Sequence, residues 1–304
     1  MKKILITGVN GFVGRHLTTV AKEDGYFVGG VAREEDTDNT QLDAYYPADL
    51  TDQQAVDAID LENYNIIISL AGLSRVGESF DKPELYKKVN VDVLRYMLNK
   101  LQRSQWHGRV IAVSTGAIYS PDQSLPLTED SKTNPDASPY AISKLLMEEV
   151  AVQGLENGID VVIARPFNHI GPGQEPGFLV PDMYQNLLSD PKALHVGNVD
   201  TKRDYTDVRD VCRAYIALGE SESLKHQVYN ICSNVSVSGR EIIETLAKHM
   251  DTPVPEIIID QQKLRPNDPP ELYGDNSRLV SDTNWEKTLS LQDSIADFVK
   301  SRAD

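Results

Sequence analysis

Three glycines, Gly8, Gly11 and Gly14, stand directly after the apolar run Ile4-Leu5-Ile6 and at the start of a helical pattern. A chain that passes from strand to helix through so tight a turn has few folds open to it. Glycine permits the turn, lets backbone approach a bulky anion, and lets the helix pack close to the sheet. The helix N-terminus then offers unpaired N–H groups to a phosphate. The whole loop is Thr7-Gly8-Val9-Asn10-Gly11-Phe12-Val13-Gly14, spaced G-x-x-G-x-x-G.

Downstream, short apolar runs alternate with helical patterns. Strands are predicted at Lys3–Thr7, Phe27–Val31, Ile66–Leu70, Arg109–Ser114 and Asp160–Ala164. Helices are predicted near Gly11–Lys22, Asp52–Ile59, Pro83–Gln102, Pro139–Glu156 and Asp207–Gly219. Pro83 and Pro139 suit first-turn positions, and Gly158 suits a helix stop. The alternation predicts an α/β protein with a doubly wound parallel (Rossmann) sheet. After Arg165 the pattern breaks into Gly- and Pro-rich segments, Gly171–Gly177 and Arg265–Pro270. We therefore expect two lobes, a dinucleotide lobe from residues 1–165 and 198–234, and a smaller α/β substrate lobe from 166–197 and 235–304.

Charge narrows the partners. The 304 residues carry a formal net charge of −16, which repels nucleic acid and anionic membrane surfaces. An anionic substrate would need a local basic pocket. Cys212 and Cys232 show neither a disulfide framework nor metal-ligand spacing, so no metal is expected. The apolar run after Met1-Lys2-Lys3 is too short for a signal peptide and is broken by Gly8. No stretch is long and apolar enough to span a bilayer, and a cytoplasmic location is expected.

The second strand addresses the choice of dinucleotide. It ends Gly30-Val31-Ala32-Arg33, and an arginine there accommodates a 2′-phosphate. NADPH is favoured, with NADH the alternative because Glu34 and Glu35 follow. Asp49-Leu50 would edge the adenine, and Leu70-Ala71-Gly72 would let backbone approach the ribose and nicotinamide.

Tyr140 and Lys144 lie four apart in a predicted helix, and so share a face. A tyrosine with its ordinary pKa of about 10 is a poor acid at neutral pH. A neighbouring ammonium stabilises the phenolate and corrects this. Lys144 can also reach the ribose hydroxyls, and Thr115 or Ser114, at the end of the predicted strand Arg109–Ser114, can hydrogen-bond a substrate oxygen. These residues make a proton-transfer site beside a hydride donor.

With these motifs in hand, the chain resembles the extended short-chain dehydrogenase/reductases along nearly its whole length. The resemblance rests on the glycine loop, Asp49-Leu50, Leu70-Ala71-Gly72, Asn90, Ser114-Thr115, Tyr140/Lys144 and Arg165-Pro166. It implies Asn90 at the cofactor, a C-terminal lobe for a nucleotide sugar, and a homodimer pairing Pro83–Gln102 with Pro139–Glu156 in a four-helix bundle. Dehydratases of that family carry acids just after the catalytic hydroxyl, where this chain has Gly116 and Ala117. Reduction is thereby favoured over dehydration. The segments Arg165–Gln174, Lys202–Asp210 and Arg265–Asp268 are similar to the GDP-4-keto-6-deoxy-D-mannose reductases. That similarity implies a GDP-linked 4-keto-6-deoxy sugar contacted by Asn168, Val180, Arg203, Arg265 and Asp268, with GDP-D-rhamnose or its 6-deoxy-talose epimer as product. A GDP-mannose 4,6-dehydratase, a sugar-nucleotide 4-epimerase and a non-catalytic NADP(H)-binding sensor stay open as alternatives.

Overall fold

The computed structural model describes residues 1–35, 37–264 and 268–302. In its first half, strands and helices alternate as the glycine loop requires. The order is β1 (Lys3–Thr7), α1 (Phe12–Glu23), β2 (Phe27–Ala32), β3 (Ala44–Pro47), α2 (Gln53–Ala58), β4 (Ile66–Ser69), α3 (Val76–Asp81), α4 (Pro83–Arg103), β5 (Arg109–Val113), α5 (Pro139–Glu156) and β6 (Asp160–Pro166). The second half is more broken. It runs β7 (Asn168–Ile170), α6 (Leu179–Ser189), β8 (Ala193–Val196), β9 (Lys202–Asp207), α7 (Val208–Glu220), β10 (Val228–Ile231), β11 (Ser236–Ser238), α8 (Gly239–His249), β12 (Glu256–Ile259), β13 (Glu271–Leu272), α9 (Ser277–Thr283) and α10 (Leu291–Lys300).

The central sheet has seven parallel strands among the described residues, in the order β10-β6-β5-β4-β1-β2-β3. Its inner strands are buried on both faces, as parallel strands under helices must be, while the edge strand β3 is only half-buried. Ile4, Ile6, Ile66, Ile68, Ile111 and Val113 pack toward α1 and α7. Leu5, Val31, Ile67, Val110, Val161 and Ile163 pack toward α2, α4 and α5. The alternation along each strand is the period of two that a pleated strand imposes.

Separate small sheets carry the second half. β9 sits between β11 and β13 and also pairs with β7, while β8 pairs with β12. A third apolar core joins α6, α8 and α10 through Met183, Leu187, Ile242, Leu246, Ile295 and Phe298. The chain also returns late to the central sheet. Leu279 and Trp285 complete the α1/α7 face, and the Trp285 indole donates to the Asp210 carbonyl at 3.0 Å. The buried Asp210 carboxylate in turn accepts from the N–H groups of Thr288 and Leu289. No helix among the described residues is long and apolar enough to cross a membrane, and no cluster of His, Cys, Asp and Glu there is suited to a metal. Both cysteines are free and buried.

Candidate active site

One cleft of about 1390 Å³ opens at the carboxyl ends of the central strands and runs to the second half of the chain. It exceeds the ~300–1,000 Å³ of an ordinary small-molecule site, which leaves room for two ligands end to end.

Its first end is backbone. β1 runs into Gly8, whose φ of +69° favours glycine. Gly14 is tighter still, since a Cβ there would stand 2.5 Å from the Gly8 carbonyl oxygen. α1 begins after Gly11 with no side-chain cap, so its first N–H groups are available to a ligand. Gly8, Asn10, Gly11, Phe12, Val13 and Gly14 all line the cleft. Across from them, Leu70, Ala71 and Gly72 form the opposite wall, fixed where the Ala71 N–H donates to Thr7 Oγ1 at 3.0 Å. An uncapped helix end behind a glycine turn fits the pyrophosphate of a dinucleotide.

The rim of that end is charged. Arg33, Glu34, Asp49 and Leu50 line it. Asn10 is drawn sideways, donating to Glu34 Oε2 at 3.1 Å and accepting from Thr37 Oγ1 at 2.7 Å. Asp49 accepts from the N–H and hydroxyl of Thr51, and the Thr51 N–H holds its carboxyl below the usual range. Asn90 is not among the lining residues. It stands behind Gly72, accepting from Leu73 N at 2.8 Å and donating to the Leu73 carbonyl and to Ser143 Oγ at 2.8 Å. It thereby ties the loop after β4 to α5.

The middle of the cleft holds Tyr140, Lys144, Ser114 and Thr115, the residues expected to transfer a proton. α5 begins at Pro139 after Ser138, whose side chain caps the helix through the Ala141 N–H. The helix thus brings Tyr140 and Lys144 to the end of β5. Lys144 Nζ donates to the Val113 carbonyl at 2.8 Å. Burial raises the Tyr140 pKa, and the neighbouring Thr115 hydroxyl pulls in the opposite direction. Burial also lowers the Lys144 pKa to about 8, against an upward pull from Glu148. Ser114 Oγ lines the cleft, buried and without a hydrogen-bond partner among the described residues, as expected of a group open to a ligand.

The residue types at both ends of this cleft are those of one family. A family model described as the NAD dependent epimerase/dehydratase family matches residues 4–232. The chain belongs to that family. Among curated relatives, it is 31% identical to a GDP-6-deoxy-D-mannose reductase of Pseudomonas aeruginosa, over 97% of this chain and 95% of that one. It is 29% identical to a GDP-6-deoxy-D-talose 4-dehydrogenase of Aggregatibacter actinomycetemcomitans, over 92% and 90%. The solved structure of RMD from Pseudomonas aeruginosa complexed with NADPH superposes with a TM-score of 0.85 at 28% identity, covering 99% of this chain and 98% of that one.

Within the epimerase/dehydratase family, acids beside the catalytic hydroxyl would mark a dehydratase. Gly116 and Ala117 line the cleft here and supply none. A Cβ at Gly116 would already stand 2.8 Å from the Phe167 ring, so a larger side chain needs that ring to move. His169 also lines the cleft, stacked on Phe12 with ring centroids 6.1 Å apart, and burial lowers its pKa.

The far end is side chain. Asn168, Val180, Arg203 and Asp268 line it. Asn168 donates to the Asp204 carbonyl at 3.2 Å, and Arg203 is ion-paired with Asp268. Arg265 lies outside the described residues. Several lining residues carry no motif and were not anticipated: Lys88, Arg75, Asp182, His195 and Lys263. Arg75 reaches from the loop before α3 to the Pro176 carbonyl across the mouth. Each sits singly on a loop, an exposed helix face or, for His195, the short strand β8, where neither spacing nor periodicity distinguishes it from an ordinary surface group.

Proposed function

We propose that the chain reduces carbon 4 of GDP-4-keto-6-deoxy-D-mannose with NADPH, giving GDP-D-rhamnose or its 6-deoxy-talose epimer. One observation carries the reading. The groups needed for carbonyl reduction converge at the centre of the cleft, while the positions for a dehydratase's acids are Gly116 and Ala117. The reductase relative and the NADPH complex of RMD support the substrate class and the cofactor. The talose dehydrogenase relative keeps the second product in play.

On this reading residues 1–165 and 198–234 serve the cofactor, and residues 166–197 and 235–304 serve the sugar nucleotide. NADPH, when bound, supplies the hydride; the cradle after β1 and the rim at Arg33 would hold its phosphates. Lys144 binds the nicotinamide ribose and favours the charged form of its neighbour. Tyr140 delivers its phenolic proton to the oxygen that gains charge at carbon 4. Thr115 and Ser114 donate to that same oxygen, where preorganised donors act most strongly. Arg203 meets the diphosphate, for which its planar fork is suited. Val152, exposed on α5, supports pairing with a second copy through α4 and α5; sedimentation at twice 33.8 kDa is the expected result.

The test follows NADPH oxidation on adding GDP-4-keto-6-deoxy-mannose, with GDP-mannose alone in parallel. Oxidation with the keto sugar alone supports the reductase, and NMR of the product separates rhamnose from talose. Conversion of GDP-mannose without NADPH would make this a dehydratase.

A further inference from the structure

α5 carries its polar chemistry at four-residue intervals. Tyr140, Lys144 and Glu148 follow one another, one helical turn apart. All three are buried, at 9%, 7% and 7% exposure. A carboxylate so placed is costly unless it has partners. Glu148 has a two-pronged one, with Arg165 Nε 2.9 Å from Oε1 and Nη2 2.7 Å from Oε2. Arg165 lies on β6 and is itself buried. Its Nη1 donates to the Tyr119 hydroxyl at 2.9 Å and to the Glu129 carbonyl at 3.1 Å. Tyr119 donates onward to Asn230 Oδ1, and the Asn230 N–H donates to Glu129 Oε1. Arg278 closes the row 3.5 Å from Glu129. Charge therefore alternates from Lys144 through Glu148, Arg165 and Glu129 to Arg278.

A row of buried charges behind a proton-transfer pair is more than a packing device. Among the described residues, Lys144 has one hydrogen bond, to the neutral Val113 carbonyl. The titratable groups around it are Tyr140 and Glu148 on α5, Tyr86 on α4, whose ring meets Tyr140 edge-on, and the buried Tyr215 on α7 beyond Tyr140. Among the described residues, Glu148 is the carboxylate that acts on Lys144. Arg165 holds it in place and also competes for its charge.

We propose that Glu148 is a positioning residue of the active site: its carboxylate, aimed by Arg165, is the counter-charge that keeps Lys144 an ammonium beside Tyr140. Burial pulls the Lys144 pKa down to about 8, close to working pH, and Glu148 opposes that pull. The proposal rests on reading Tyr140 and Lys144 as the proton-transfer pair.

Two variants move the charge in opposite directions. Glu148→Gln keeps the shape and removes the counter-charge. Arg165→Met removes the competing cation and leaves Glu148 to Lys144. NADPH binding, followed by protein fluorescence from pH 6 to 10, reads the Lys144 proton without any sugar; the pH profile of keto-sugar reduction reads it again. Glu148→Gln is expected to move the alkaline limb of both curves down by about one pH unit. Arg165→Met is expected to move it up. A loss of packing would lower affinity or rate without displacing the limbs oppositely, and limbs that stay put or shift together overturn the proposal. If Arg165→Met does not fold by circular dichroism, Glu148→Asp takes its place: the retained carboxylate should bring the limb back toward wild type, and a limb as low as in Glu148→Gln overturns the idea. If the wild type reduces no keto sugar, the reductase reading fails, while the binding curves still decide the role of Glu148.

Discussion

The two ends of the cleft are made of different material. At the glycine-loop end the wall is backbone, Gly8, Gly11, Gly14, Ala71 and Gly72, set at the carboxyl ends of β1 and β4. At the other end it is side chain, Asn168, Arg203 and Asp268, held on short strands and loops. A backbone wall is fixed by the sheet that carries it, so altering it alters the fold. A side-chain wall can be rewritten one residue at a time while the scaffold stands. On the proposed assignment of the two ends, the contrast teaches how one architecture could keep its cofactor class while its sugar chemistry diverges.

Tyr140, where the two ends meet, gives the largest expected effect. Tyr140→Phe should lower kcat by about 10²–10⁴-fold and leave NADPH affinity within about twofold of wild type, by single-turnover kinetics and fluorescence titration. Retained turnover would mean that the acid lies elsewhere. Next comes the backbone end. Gly14→Ala puts a methyl against backbone atoms, with overpacking of about 1–3 kcal/mol. It should lower both the thermal midpoint and NADPH affinity together, and separation of the two would break the contrast drawn above. At the side-chain end, Arg203→Ala should raise KM for the keto sugar about 10-fold or more through loss of a charge-assisted contact, with the thermal midpoint and NADPH affinity unmoved. A fall in NADPH affinity would show that the ends are not independent. Arg33→Gln should cut the preference for NADPH over NADH by about tenfold, the worth of one such contact.

The seam itself has a stability signature. The Lys144 pKa is lowered from 10.5 to about 8 in the folded chain. Below pH 8 the ammonium is charged in both states, and the folded state bears the full burial cost. Between pH 8 and 10.5 the folded chain has released the proton while the unfolded chain still holds it, so that cost fades as pH rises. Lys144→Met should therefore stabilise the ligand-free protein at pH 7 by about 1–2 kcal/mol, and the gain should vanish toward pH 10.5 in denaturant titrations. An equal gain at all pH values would assign it to packing.

Much of the central sheet was legible because regular elements repeat their physics. The predicted Lys3–Thr7 and Pro139–Glu156 coincide with β1 and α5, the first set by an apolar run against a glycine turn, the second by Ser138-Pro139 at its start and Gly158, with φ +86°, beyond its end. Asp160–Ala164 proved two residues short, since β6 continues to Pro166, paired with Ile231. β3 was not among the predicted strands. Its four residues, Ala-Tyr-Tyr-Pro, lie at the sheet edge, where a proline is tolerated and the apolar signal is weak. β7, β11 and β13 have two or three residues each, too few for any period to show. In the site, spacing identified which residues gather near the cleft. It did not separate wall from support: Asn90 buttresses Gly72 from behind, and Arg75 reaches the mouth with no pattern to announce it.

The late return of the chain to its first core has a consequence for synthesis. A ribosome that has released β1 through β10 has made every strand of the central sheet, yet the α1/α7 face still lacks Leu279 and Trp285. The buried Asp210 carboxylate likewise waits for the N–H groups of Thr288 and Leu289. The nascent sheet is thus left with an open apolar seam, and Asp210 with Arg213 as its partner, until those residues emerge, so the central sheet reaches its full packing only when nearly the whole chain has been made.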